Sequence, residues 1–182
     1  MATRETSETT SPEPAKTCFV IMPFGEKPDV DGQIVRFNDV YNYIIKPVAQ
    51  RVGLEVIRSD EIQTPGWIHG DMIQHIFSSD VAIVDITSLN PNVFYELGVR
   101  HTLRKAVTIL IRKKGTKNPF NVQGMRTIEY DMDIASAAEA QNDIEKFIRN
   151  GLKKMNNDSM VYQILPNLRM SIPQTRSRKK LR

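Results

Sequence analysis

The chain has 182 residues, 40% of them hydrophobic and 25% charged, which suits one soluble domain with a proper core and is too short for two. No apolar run reaches the length of a transmembrane helix, the N-terminus lacks the apolar core of a signal peptide, and the single cysteine, Cys18, has no intrachain disulfide partner, so a cytoplasmic protein with no membrane association is expected. The net charge of +4 belongs to a tail: Arg176, Arg178, Lys179, Lys180 and Arg182 leave a slightly acidic chain when set aside, so nucleic acid is expected to bind only weakly, through that tail, if at all.

Residues 1–16 are polar and rich in Ser, Thr, Glu and Pro, and read as a disordered segment. One α/β domain is expected over residues 17–172, with a basic tail over 173–182. Thr17 to Met22 reads as a first strand, ending in the turn Pro23-Phe24-Gly25, and Glu26 to Gln33 as a polar loop, either a lid or an ordinary mobile loop. Phe37 to Val52 has helical spacing, with Pro47 placed to kink or divide it and Gly53 as its C-cap. Leu54 to Ile57 reads as a short second strand, followed by Arg58-Ser59-Asp60-Glu61 at its end. Thr64-Pro65-Gly66 is a turn, and a helix is expected from about Trp67 to Phe77.

The central stretch is residues 80–98, D-V-A-I-V-D-I-T-S-L-N-P-N-V-F-Y-E-L-G. Val81 to Ile86 is short, apolar and β-branched, as in a strand buried on both faces of a parallel sheet. Pro91 suits a first helical turn, Asn90 or Asn92 can cap it, and Val93 to about Leu103 is helical by pattern. Farther on, Ala106 to Ile111 is a strand, Arg126 to Tyr130 a weaker edge strand, Ile134 to Met155 contains a long helix, and Val161 to Leu165 adds a short one. Strands alternating with helices, and no hairpin signal, predict a flavodoxin-like doubly wound parallel sheet of about five strands in the order 2-1-3-4-5. In such a sheet ligands bind outside the carboxyl ends of the strands, where Asp85, Asn90, Asn92 and Glu96 gather.

Several chemistries lack their residues. There is no G-x-G-x-x-G and no P-loop, and His69, His75 and His101 have no metal spacing; neither metal nor cofactor is expected. What remains is carboxylates and amides at the sheet edge. A helix N-terminus favours the ionised form of Glu96, and an ionised, desolvated carboxylate is a competent nucleophile at a sugar carbon. A second acid would protonate the leaving group, with Asp71 and Asp85 as candidates. Structural readings stand beside these: Glu96 and Arg100 as an i, i+4 surface pair worth about 0.3–0.5 kcal/mol, Asp85 as an anchor of its turn, Asp71 as a helix-start acid, and Tyr95 as core. A phosphate would also fit against backbone N–H groups near Asn92.

The 80–98 stretch resembles the signature of the nucleoside 2-deoxyribosyltransferase superfamily and its deoxynucleotide N-hydrolase relatives, with Tyr95-Glu96-Leu97-Gly98 as its specific part. The N-P-N-V-F-Y-E-L-G version is similar to less characterised relatives and some TIR-like proteins, and the likeness extends more loosely over residues 17–111. The resemblance implies a flavodoxin-like fold, Glu96 as the nucleophile at C1′ of a nucleoside, Asp71 as the acid, and a homodimer or higher assembly. Arg58 and Asp60 resemble an R-x-D-E of those relatives and would line the pocket with Pro23, Phe24 and Gly25, or form a salt-bridged turn. Departures are the first loop, Met22-Pro23-Phe24-Gly25, which has no tyrosine, an Asp71-to-Asp80 spacing one residue longer than in the hydrolases, and a C-terminal third without a counterpart. The implied partner is a nucleoside, nucleotide or NAD-like small molecule. The expected function is cleavage or transfer at an N-glycosidic bond, with a TIR-like NAD hydrolase and an inactive nucleotide sensor as alternatives.

Overall fold

The computed structural model describes residues 14–61 and 68–170. The expectations for residues 1–13, the turn Thr64-Pro65-Gly66, Trp67 and the basic tail lie outside the described residues.

Strands β1 (Thr17–Ile21), β4 (Glu55–Arg58), β5 (Val81–Asp85), β6 (Thr108–Lys113) and β7 (Thr127–Tyr130) form an all-parallel sheet in the order β4-β1-β5-β6-β7. Numbered within that sheet the order is 2-1-3-4-5, the flavodoxin-like arrangement the alternation of elements predicts. β5 is buried at every position, because a central parallel strand has helices on both faces. The two faces alternate along β1: Cys18 and Val20 pack in one core cluster, Phe19 and Ile21 in the other.

The first face is covered by residues 37–51 and by the long helix α5 (Ile134–Lys154), whose Ala140, Ile144 and Ile148 are buried. Residues 37–51 form a helical stretch in three parts: α1 (Phe37–Asp39), a π-helical stretch (Val40–Ile45) and α2 (Lys46–Arg51). Pro47 sits in the first turn of α2 and has no N–H to return to Tyr43. The Tyr43 carbonyl instead accepts from Gln141 Nε2 of α5 at 2.6 Å. The division expected at Pro47 is therefore present, and a partner helix satisfies the group it frees. On the other face α3 (Ile68–Ser78) and α4 (Pro91–Leu103) pack against each other and bury Ile76, Val93 and Leu97.

One expectation fails. A hairpin is present: β2 (Glu26–Pro28) pairs antiparallel with β3 (Ile34–Arg36). Its strands are too short and exposed to show a period-2 pattern, and its turn is made by side-chain chemistry. Asp29 Oδ1 accepts from the amides of Asp31 and Gln33 at 3.0 and 2.8 Å, and Gly32 takes φ +80°. Nor is this segment a free loop. Lys113, the last residue of β6, donates to Asp29 Oδ2 at 2.8 Å and to Gln33 Oε1 at 3.0 Å, pinning the hairpin to the sheet's carboxyl edge. That bond holds the Asp29 carboxyl below its ordinary range.

Candidate active site

The carboxyl ends of the five strands converge with the N-termini of α3 and α4, since each helix there begins where a strand ends. Asp29, Asp60, Glu61 and Asp85 at this edge are each held by a neighbour. Asp60 is bound bidentately by Arg58, with Nη2 to Oδ2 at 2.6 Å, and Arg58 Nη1 also donates to Asn38 Oδ1 at 3.0 Å. The Arg58 guanidinium lies 4.4 Å from the centre of the Tyr41 ring, and the Tyr41 hydroxyl donates to Glu61 at 3.1 Å. Arg58 is buried, so Arg58 and Asp60 form a salt-bridged turn at the end of β4.

Asp85 is wholly internal at 1% exposure. Its Oδ1 accepts from the Thr87 amide at 2.9 Å and the Thr87 hydroxyl at 2.5 Å, and its Oδ2 from the Tyr130 hydroxyl at 2.8 Å. Thr87 Oγ1 accepts from the Lys113 amide at 2.8 Å, so one network joins the ends of β5, β6 and β7. Burial pushes the Asp85 carboxyl up to about 6 against these bonds. Ser88 follows with a buried hydroxyl that has no partner among the described residues. Tyr130 and Lys113 escape sequence reasoning, because only the register of β5, β6 and β7 brings them to the Asp85 turn.

Asn90 is the N-cap of α4: its side chain accepts from the Asn92 amide at 2.9 Å. The Asn92 amide is thus already donating, and the Asn92 side chain is exposed. Asp71 lies in the first turn of α3, half-buried. Pro23 is buried, Phe24 is 55% exposed, and Gly25 takes φ +71° where its carbonyl accepts from the Phe37 amide at 2.9 Å. These three shape the junction of β1 with the hairpin.

Glu96, like Asp71, has no such neighbour among the described residues. It is half-buried in the second turn of α4, and no side chain among the described residues donates to it. Burial alone pushes its carboxyl up to about 7. This corrects the expectation that the helix N-terminus holds Glu96 ionised: the dipole acts over the first turn, and desolvation prevails one turn further in. The surface pair with Arg100 is also absent. Arg100 is fully buried, donating to the carbonyls of Ile76 at 2.7 Å, Ser79 at 2.8 Å and Val107 at 3.1 Å. Tyr95 is 62% exposed and is not core.

Chemically, an unpaired carboxyl poised near neutrality serves as nucleophile or as proton carrier. Among the described residues no cluster of His, Cys, Asp and Glu fit for a metal ion occurs, and no helix is long and apolar enough to cross a membrane. No family model matches the chain, and no curated protein matches it.

Proposed function

We propose that this protein cleaves or transfers at the N-glycosidic bond of a nucleoside, nucleotide or NAD-like molecule bound at the sheet's carboxyl edge. The observation that carries the reading is Glu96, a half-buried acid with no partner among the described residues and a carboxyl that burial raises to about 7, at an edge where Asp29, Asp60, Glu61 and Asp85 are all engaged. An ionised Glu96 oxygen attacks the anomeric carbon; the bond to the base nitrogen breaks, its electron pair leaves with the base, and Asp71 supplies the proton that neutralises it. Water, or a second base, then attacks the same carbon, gives its proton to Asp71 and frees Glu96. Asp85 acts through the turn it anchors, setting Thr87, Ser88 and the Asn90 cap in place; Arg58 and Asp60 brace the neighbouring strand end.

The protein would work in the cytoplasm as a homodimer or larger assembly through the face of α4 that carries exposed Tyr95. A sedimentation measurement showing only monomer at micromolar concentration contradicts that assembly. The activity is tested by incubating the protein with deoxynucleosides, deoxynucleotides and NAD and separating free base. Release from the first two classes favours the nucleoside reading, release of nicotinamide alone favours NAD hydrolysis, and binding without release favours a sensor.

A further inference from the structure

The hairpin passes over the carboxyl end of the central strand. It leaves the sheet after β1 and is pinned by Lys113 at the end of β6, and β5 lies between those two strands. Among the described residues its tip, residues 29–33, is hydrogen-bonded to the rest of the chain through Lys113 alone. The backbone of the same lysine reaches the loop that leads into α4, where its amide donates to Thr87 Oγ1 at 2.8 Å. Lys113 therefore stands between the hairpin and the turn that sets α4, the helix of Glu96.

Holding the hairpin does not exhaust Lys113. An ammonium has three N–H donors, and two acceptors, Asp29 Oδ2 and Gln33 Oε1, meet it among the described residues. Its side chain is 19% exposed, so the ammonium is open to solvent at the edge, whereas the Asp29 side chain is nearly covered. Other cations here are committed: Arg58 is buried against Asp60 and Asn38, and Arg112 is bound to Glu129 and Asn118. The chain then adds Lys114 and Lys117, both exposed and in no salt bridge among the described residues; Lys114 acts on Asp133 at longer range. Residues 112–117 thus bring more positive charge to the end of β6 than Glu129 and Asp29 neutralise. Such a surplus at a ligand edge draws anions in, and a lysine with an unused donor holds them as a point charge. A neutral nucleoside makes no use of it. A phosphate monoester carries a charge of about −1.5 to −2 at neutral pH, more than the Asp29 carboxylate, and competes with it.

We infer that the ligand of this edge is phosphorylated, a nucleotide rather than a nucleoside, and that Lys113 is the residue that binds its phosphate. The inference rests on the Glu96 reading for the place of the sugar and base. The phosphate takes the donor that Asp29 and Gln33 leave over, and it competes with Asp29 for the ammonium. Asp29 thus holds the hairpin in place and at the same time weakens phosphate binding.

The test is calorimetric titration of the full chain carrying Glu96→Gln, so that ligand is not consumed. The ligands are matched pairs: each common 2′-deoxynucleoside with its 5′-monophosphate, and nicotinamide riboside with NAD. The phosphorylated member of at least one pair should bind at least ~10-fold more tightly than its partner. Adding Lys113→Met should cut that preference below about threefold. Adding Asp29→Asn keeps the Oδ1 acceptor of the hairpin turn and removes the competing charge, so the phosphorylated ligand should bind at least ~3-fold more tightly while the nucleoside is unchanged. Both variants break the same ion pair, so a lysine that only pins the hairpin would make them act in the same direction; that outcome overturns the inference. Should Lys113→Met fail to fold, the gain in Asp29→Asn decides alone, and its absence overturns the inference. Nucleosides bound as tightly as their phosphates, with base still released by wild type, would overturn it and leave the Glu96 reading standing. The opposite shifts of the two variants, with no base released by wild type, would uphold Lys113 and overturn the Glu96 reading.

Discussion

Glu96 and Arg100 lie one turn apart on α4 and have opposite fates. Arg100 is fully buried, and its guanidinium is shared among backbone carbonyls from the end of α3 and from the residue just before β6. Burial and the neighbouring Arg104 lower its pKa to about 10, which leaves it a cation at neutral pH. Glu96 is half-buried with no comparable partner among the described residues, and burial pushes its carboxyl up to about 7. The helix thus carries one charge that the fold consumes and one that it leaves free. A group bound on all sides stabilises; a group with unmet polar capacity beside a strand end is available for chemistry.

The largest expected effect follows from the free member. Glu96→Gln should lower base release by at least ~10³-fold while leaving ligand affinity within a few-fold, since it removes a role realised in the transition state. Kinetics and a binding titration on the same preparation check both halves. The consumed member should behave in reverse. Arg100→Met leaves several buried carbonyls without donors and should cost about 3–5 kcal/mol of stability, readable in denaturant unfolding. A smaller effect is expected for Asp85, the consumed acid at the same edge as Glu96. Asp85→Asn keeps the acceptor for Thr87 but changes the partner of Tyr130, and about 1–2 kcal/mol should be lost. A loss of activity in Asp85→Asn with unchanged stability would instead place Asp85 against the substrate.

The smallest effect is in pH dependence. Glu96 has a folded pKa of about 7, above its ordinary 4.5, so the folded state binds the proton more tightly than the unfolded one. Its contribution to stability is full below pH 4.5 and is lost as pH rises through 7. Asp85 and Asp158, each raised to about 6, act in the same direction, while His101, lowered to about 4, loses stability as pH falls below its ordinary 6.5. The difference between wild type and Glu96→Gln isolates the first of these. Wild type should become progressively less stable relative to the variant between pH 4.5 and 8, and melting curves across that range would show it. A difference independent of pH would mean that Glu96 is not desolvated.

The sequence shows where this pair sits better than what it does. The strand before α4, its turn and the Asn90 cap follow from an apolar run, a proline and an asparagine, each acting locally. The i, i+4 spacing of Glu96 and Arg100 suggests a surface pair because charge pattern carries no information about depth. The signal for Arg100 is nevertheless present: Val93, Leu97 and Arg100 follow i, i+4, i+7, the buried stripe of α4. The Asp85–Tyr130 bond joins residues 45 positions apart through three strands in register, and nothing local announces it. The hairpin over residues 26–36 is likewise hidden, since Asp29 and Gly32 build its turn while its strands bury only Val35.

The most direct test of the account is a comparison of base release by wild type and by folded Glu96→Gln, followed chromatographically on deoxynucleosides, deoxynucleotides and NAD at pH 8, where Glu96 is mostly ionised. The account predicts free base from at least one substrate with wild type and none above background with the variant. Equal release by both proteins, or none by either, would contradict it.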